Sequence, residues 1–238
     1  MITIFRRVRE KLIVSGSVAK YLLYAIGEIL LVVLGILIAL QINNWNEDAK
    51  TRGSINGALM EVVQDLESDV KVLSDEIVKR ENDLQAQLRV IRFLESDTQR
   101  YDSLYTDLGH VLLKRNTPLL SNGYDLLNDI GISQLKDATL RERLVIYYEV
   151  IHEEVENEIE DDEFEFEENW LPYVRNHFRE WEFGEFAYPN DDDYVFNDSY
   201  FLTSLKINLN NIRGTLESHR IALNQSVNLI KLINERQI

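Results

Sequence analysis

The sequence predicts an all-α protein, with a single N-terminal transmembrane helix running into an elongated up-down helical bundle. Three observations carry this. Leu22 to Ile42 is a twenty-one-residue apolar run whose only ionisable side chain is Glu28. At about 1.5 Å per residue it covers roughly 31 Å, the thickness of a bilayer core. The 238-residue chain holds only 3 Pro and 10 Gly, and long stretches without helix breakers favour helix. Beyond the apolar run, hydrophobic residues recur three and four apart, which puts them on one helical face.

The predicted organisation is a basic cytoplasmic segment over residues 1–20, a transmembrane helix over 21–44 and an extracytoplasmic helical-bundle domain over 45–238. Arg6, Arg7, Arg9, Lys11 and Lys20 stand against the single acid Glu10 in the first segment. Ile4, Phe5, Val8 and Leu12 recur among them at helical spacing, as in a short amphipathic helix lying on an anionic leaflet. Ser15-Gly16-Ser17 breaks that helix before the span. After the span, Glu47, Asp48, Lys50 and Arg52 cancel, so the positive-inside rule keeps the N-terminus in the cytoplasm. Tyr21 and Tyr24 on one side and Trp45 on the other fit interfacial aromatic belts. The run is too long for a signal-peptide core, and Leu37 stands where cleavage before residue 40 wants a small side chain, so the anchor is expected to be retained. Residues 1–45 carry a net +3 and residues 46–238 a net −19. A domain that acidic repels nucleic acid and anionic headgroups. With no Cys in the chain, disulfides and thiolate metal sites are excluded.

Glu28 lies four residues from the midpoint of the span. An ionised carboxylate at that depth costs on the order of 3 kcal/mol, so it is expected to be neutral, paired or part of an interface. Gly27, Leu31, Gly35 and Ala39 form a stripe bordered by Glu28, and Gly35-x-x-x-Ala39 is a small-x-x-x-small packing pattern. The favoured reading is a helix–helix contact in a homo-oligomer or with a partner membrane protein. A proton relay would need further ionisable groups in the membrane, and the span has none.

The run Lys20–Glu47, KYLLYAIGEILLVVLGILIALQINNWNE, with its lead FRRVREKL, resembles the N-terminal signature of an uncharacterised family of single-pass membrane-anchored proteins. These occur in Gram-negative bacteria, chiefly Bacteroidota. A weaker similarity covers SNGYDLLNDIGISQLKDATLRERLVIYYE, residues 121–149. The resemblance implies the inner membrane and the periplasm, and no mechanism.

In the ectodomain, Ile55, Leu59, Val62, Leu66, Val70, Leu73, Ile77, Leu84, Leu88 and Ile91 repeat every 3.6 residues once Arg80 fills the gap. This predicts a straight helix from about 45 to 96 that continues the span. Shorter helices are expected over 101–113, ended by Asn116-Thr117-Pro118, and over 121–130, with Ser121 as cap and Gly131 as stop. Asp137 should cap a long helix through residue 181. Its register runs Leu140, Leu144, Tyr147 or Tyr148, Ile151, Val155, Ile159, Phe166, Trp170, Val174, Phe178 and Trp181, with a kink at Pro172. Residues 182–196 read as the one clear loop, at the far tip. Asn197 or Asp198 should start the last helix, whose seam runs through Leu202, Leu205, Leu209, Ile212, Leu216, His219, Leu223, Ser226, Ile230 and Ile233 in the manner of a coiled coil. No strand is predicted.

Chemistry-bearing patterns are sparse. Glu153–Glu168 has eleven carboxylates in sixteen residues, which reads as a solvated helix face rather than a cation site. Asp191-Asp192-Asp193 lacks the spacing of an EF-hand loop. Glu149-Val-Ile-His152 has the Glu-x-x-His spacing of di-iron bundles, without the second copy such sites need. His219 reads as a buried register residue, or else as a pH sensor. No nucleophile elbow, Walker loop, zinc-binding His-Glu-x-x-His or dinucleotide turn is present, so no enzyme, cofactor or metal is predicted. The leading expectation is a membrane-anchored interaction or scaffold protein, with Trp181, Phe183, Phe186 and Tyr188 as a partner-binding tip. The alternatives are a periplasmic sensor bundle acting through a partner, and an accessory subunit of an ion-driven complex using Glu28.

Overall fold

The computed structural model describes residues 18–96 and 99–236. The chain divides into two compact units, Met1–Ser54 and Ile55–Ile238. Among the described residues helix dominates both, with one small two-stranded sheet in the second. The division falls inside the first helix, α1 (Val18–Leu94). No proline interrupts α1, and its backbone ladder ends through Glu95 N–H to the Ile91 carbonyl and Ser96 N–H to the Phe93 carbonyl.

In the second unit, α1 from Ile55 onward supplies one layer. Two short helices run back along it: α2 (Leu104–Val111) and α3 (Asn122–Ile130). Leu104 and Leu108 pack against Val90 and Ile91 at one end. Tyr124 and Leu127 pack against Ile55, Leu59, Val62 and Leu66 at the other. A Cβ on Gly123 would sit 2.2 Å from the Val62 backbone nitrogen, so this backbone approach requires glycine. Ser121 occupies the cap position of α3 as expected, but its hydroxyl turns to Asp125 and makes no capping bond. Asp65 of α1 accepts from Gly123 N–H at 2.7 Å instead. The helix is thus capped from across the interface, with a carboxylate at its N-terminus where the dipole favours negative charge. Gly131 ends α3 at φ 95°.

The third layer, residues 138–177, is continuous helix with two π turns. It comprises α4 (Ala138–Ile146), the turn Tyr147–Ile151, α5 (His152–Glu165), the turn Phe166–Trp170 and α6 (Leu171–His177). Asp137 caps it through Leu140 N–H at 2.9 Å. Each π turn widens the helix by one residue, which lets Tyr147 and Tyr148 both be buried where a strict 3.6 period admits one. Pro172 falls in the first turn of α6, just after the second π turn. Its missing N–H lies where the i→i−4 ladder is already interrupted, so the helix continues through it.

The expected long helix stops at His177, four residues short, and the expected loop is ordered. β1 (Phe178–Glu182) pairs antiparallel with β2 (Phe186–Pro189). Gly184, at φ 77°, makes the turn. Phe178 and Trp181 are three apart, which mimics a helical step, but the pairing partner needed to read them as strand lies across the turn. The hairpin is fixed to α2 at Gly109, whose Cβ would meet the Phe186 backbone nitrogen at 2.4 Å. α7 (Asp192–Phe196), capped by Asp191, follows the hairpin, and α8 (Ser199–Arg236) closes the bundle. Asp198 accepts from Tyr200 N–H at its start.

The core is not uniform along the bundle. A large apolar cluster fills the Ile55 end, with Tyr147, Leu229 and Ile233, and another fills the Val90 end, with Trp170, Phe178 and Phe201. Between them the apolar groups are few (Leu73, Ile77, Val155, Ile212, Leu216 and Ala222). There α1 turns Asp69, Glu76, Arg80, Asp83 and Gln87 inward, and α8 turns in Asn208, Thr215, Ser218 and His219. The bundle therefore has a polar waist. The buried stripe of α8 also takes in Phe201, Ser204, Ala222 and Leu229, broader than a coiled-coil seam, while Leu202, Leu209, Leu223 and Ile230 are only partly buried.

Candidate functional site

In the first unit, the expected contact stripe stands open. Leu31 is 65 % exposed, Gly35 and Ala39 are exposed, and Glu28 is partly covered. Among the described residues, nothing lies within 4 Å of a Cβ placed on Gly27 or Gly35. Among the described residues one helix is long and apolar enough to cross a membrane, and its most apolar window has no buried residue. Arg6, Arg7, Arg9 and Lys11 lie outside the described residues. Lys20 lies in the first turn of α1.

The four tip aromatics sit on the hairpin. Phe183 is 48 % exposed, while Trp181, Phe186 and Tyr188 are half-buried. Trp181 and Phe183 pack on Phe166 at ring distances of 6.1 and 5.8 Å, and Tyr188 packs on Tyr105 at 4.8 Å. Most of that aromatic surface thus holds the hairpin onto the bundle, leaving Phe183 as the outward-facing ring. The neighbouring acids are also employed. Asp191 caps α7, and Asp192 accepts from Arg100 and from the Tyr105 hydroxyl.

The waist holds the densest polar chemistry. Arg80, 3 % exposed, donates to Asp162 Oδ2 at 2.5 Å and to the Arg115 carbonyl at 3.4 Å. Arg115 forms a two-pronged contact with Asp83 at 2.5 and 3.0 Å, and His110 Nδ1 lies 3.1 Å from the same carboxylate. These groups surround a space of about 20 Å³, far below the few hundred Å³ that an organic ligand needs. The cluster is therefore a structural tie between α1, the 112–121 connection and α5. Asp162, its side chain 9 % exposed, is the carboxylate of the acidic run that pairs with Arg80, and most of the others are exposed.

Asp69 and His219, both in the waist, have strongly displaced titrations. Asp69 is fully buried and accepts from Leu120 N–H at 3.0 Å. Burial, reinforced by the Asp65 carboxylate and only partly offset by that N–H, pushes its pKa up to about 7. His219 is also fully buried, with Nε2 2.8 Å from the Thr117 hydroxyl and Nδ1 3.3 Å from the Ser218 hydroxyl. Burial, with the nearby Arg80 charge, holds its pKa down at about 4. Its surroundings thus favour the neutral, hydrogen-bonded imidazole. Glu149 accepts from the Tyr124 hydroxyl at 2.8 Å, while His152 Nδ1 faces Glu156 at 3.3 Å. The Glu-x-x-His pair therefore serves two different partners.

Over residues 28–151, just over half of the chain, the sequence matches a family of unknown function, DUF6090. The chain belongs to DUF6090. No curated protein and no solved structure matches it. The DUF6090 match begins at Glu28 in the apolar helix and ends at the first π turn, so it contains Leu31, Gly35 and Ala39. It also contains Asp65, which caps α3, and the waist residues Asp69, Arg80, Asp83, His110 and Arg115. The hairpin, Asp162 and His219 lie beyond it. The inward polar residues of α1 had a legible signal in the sequence. Asp65, Asp69, Glu76, Asp83 and Gln87 follow one another at four and seven residues, which keeps them on one face beside the apolar stripe.

Proposed function

We propose that this DUF6090 protein is a membrane-anchored interaction module that works by holding partners rather than by catalysis. In this reading its apolar helix sits in the inner membrane of a Gram-negative cell, with the basic N-terminus cytoplasmic and residues 45–238 periplasmic. The observation that carries the proposal is the bare apolar surface of the first unit, where Leu23, Ile29, Leu31 and Ile38 are 72, 63, 65 and 59 % exposed. A continuous apolar surface of that kind needs lipid or another helix against it. The Gly27-Leu31-Gly35-Ala39 stripe lets a second helix approach closely, and the Glu28 carboxyl hydrogen-bonds across the contact.

The absence of native cysteine makes the test direct. Full-length Gly35→Cys and Ala39→Cys variants, oxidised in native membranes, should form disulfide-linked dimers or link to one partner. Val33→Cys and Leu37→Cys, on the opposite side of the helix, should not. Equal crosslinking around the helix, or none at any position, would remove the stripe as an interface. Glu28→Gln should preserve the crosslink. Protease added to spheroplasts should digest a C-terminal tag, and a protected tag would reverse the orientation.

A further inference from the structure

Beside the waist, with which it shares Ser218, an open groove of about 310 Å³ lies between the Tyr147–Ile151 π turn with α5 and the middle of α8. Its walls are hydrocarbon, because Val150 and Ile221 are 55 and 45 % exposed there, with Ile151 beside them. Among the described residues, the charged groups on its lining are Glu154, Glu158 and Glu217, with no basic side chain. Glu158 is the best placed of the three. Its Oε2 lies 3.1 Å from the Thr215 hydroxyl, whose proton it shares with the Asn211 carbonyl at 2.9 Å, and burial raises its pKa above the ordinary value. Its ionised form is therefore short of solvation and stands to gain from a cation.

Gly214 makes room for that carboxylate. A Cβ there would come within 3.2 and 3.3 Å of the two Glu158 oxygens. Glycine inside a helix costs about 1 kcal/mol relative to alanine, and in the 38-residue α8 it leaves the carboxylate head seated in the groove against bare backbone. The size of the space selects the class of occupant. Pockets of about 300 Å³ are at the small end of those that hold organic ligands, and a docked helix needs a far longer trough.

We propose that this groove binds a small organic cation, an amine carried on a short apolar or aromatic body. The hydrocarbon lies against Val150, Ile151 and Ile221, the ammonium meets Glu158, and Glu154 and Glu217 complete the negative field. This site is independent of the membrane stripe and would stand or fall without it.

The test uses the full chain in nanodiscs of zwitterionic lipid, with lipid-only nanodiscs as the blank, and titration calorimetry with four probes. 3-Phenylpropylamine should bind, and its affinity should fall several-fold between 50 and 300 mM salt. 3-Phenylpropan-1-ol should bind at least tenfold more weakly, 3-phenylpropionate should not bind, and spermidine should be several-fold weaker than the arylamine. Glu158→Gln keeps an acceptor for Thr215 and should lower amine affinity about tenfold. Glu217→Gln, at an exposed position with no packing role, should lower it two- to threefold, and tests the field should Glu158→Gln misfold. Absence of amine binding at millimolar concentration, equal binding of the alcohol, equal binding of spermidine, or amine binding unchanged in both variants would each overturn the proposal.

Discussion

Arg80 and Asp162 illustrate how much a single buried residue can hold. Their side chains are 4 and 9 % exposed, so each has given up its water for the other. Asp162→Ala leaves the guanidinium buried without its counter-ion, and should cost about 3–5 kcal/mol of unfolding free energy. Replacing both partners, as Arg80→Met with Asp162→Leu, should recover most of that loss, because a desolvated ion pair is worth little more than hydrocarbon of the same volume. Denaturant unfolding of the full chain in detergent micelles measures both variants. A double variant no better than Asp162→Ala would show that the charges do more than balance each other.

Asp69 and His219 make opposite pH predictions. The folded pKa of Asp69 is about 7, against an ordinary 3.8. Between those values the folded state holds a proton that the unfolded chain has lost, so this group's contribution to stability falls as pH rises from 4 to 7. The folded pKa of His219 is about 4, against 6.5. Its contribution is complete above 6.5 and is lost as pH falls toward 4, because the unfolded chain takes up the proton first. In the native protein the two slopes largely offset. Asp69→Asn should raise the melting temperature relative to wild type by an amount that grows from pH 4 to 7. His219→Gln should lower it by an amount that grows from pH 4 to 6.5. Melting-temperature differences that do not vary with pH would contradict the assigned shifts.

Among the elements, α1 was legible because one unbroken 3.6-residue period, free of proline, leaves no competing structure. Arg80 already stood in that period as the residue that bridges its apolar gap, but its partner could not be read. Asp162 sits among ten other carboxylates within sixteen residues, and only the phase set by the π turns turns it inward. The hairpin escaped for a related reason. Phe178 to Glu182 satisfies helical and strand patterns about equally well, and what decides is a backbone contact with Gly109, about seventy residues earlier in the chain. Gly109→Ala forces the α2 and Phe186 backbones apart, and overpacking of this kind costs about 1–3 kcal/mol. Amides of residues 178–189 should then exchange faster with solvent, while those of α3 keep their protection. Uniform acceleration across the domain would mean that the hairpin is not a separable element.

For the molecule as a whole, the division at Ser54 and Ile55 implies that the second unit carries its own core. A fragment comprising residues 46–238 should be soluble without detergent and should retain the helical content of the domain by circular dichroism. A fragment that precipitates or binds a hydrophobic dye would show that the anchor is needed for the fold. The family match, by contrast, spans parts of both units, so kinship follows α1 across the boundary that compactness draws.

The polar waist also bears on how the domain comes apart. Once either apolar end opens, water reaches Asp69, Asp83 and Thr215 and repays part of the cost, whereas extending the opening into the second cluster regains nothing similar. The waist is thus a natural fault line between two foldons. One contains α3, α4 and the C-terminal half of α8. The other contains α2, α6, the hairpin and the N-terminal half of α8. Native-state hydrogen exchange at rising denaturant should sort the amides into these two groups, each converging on its own opening free energy.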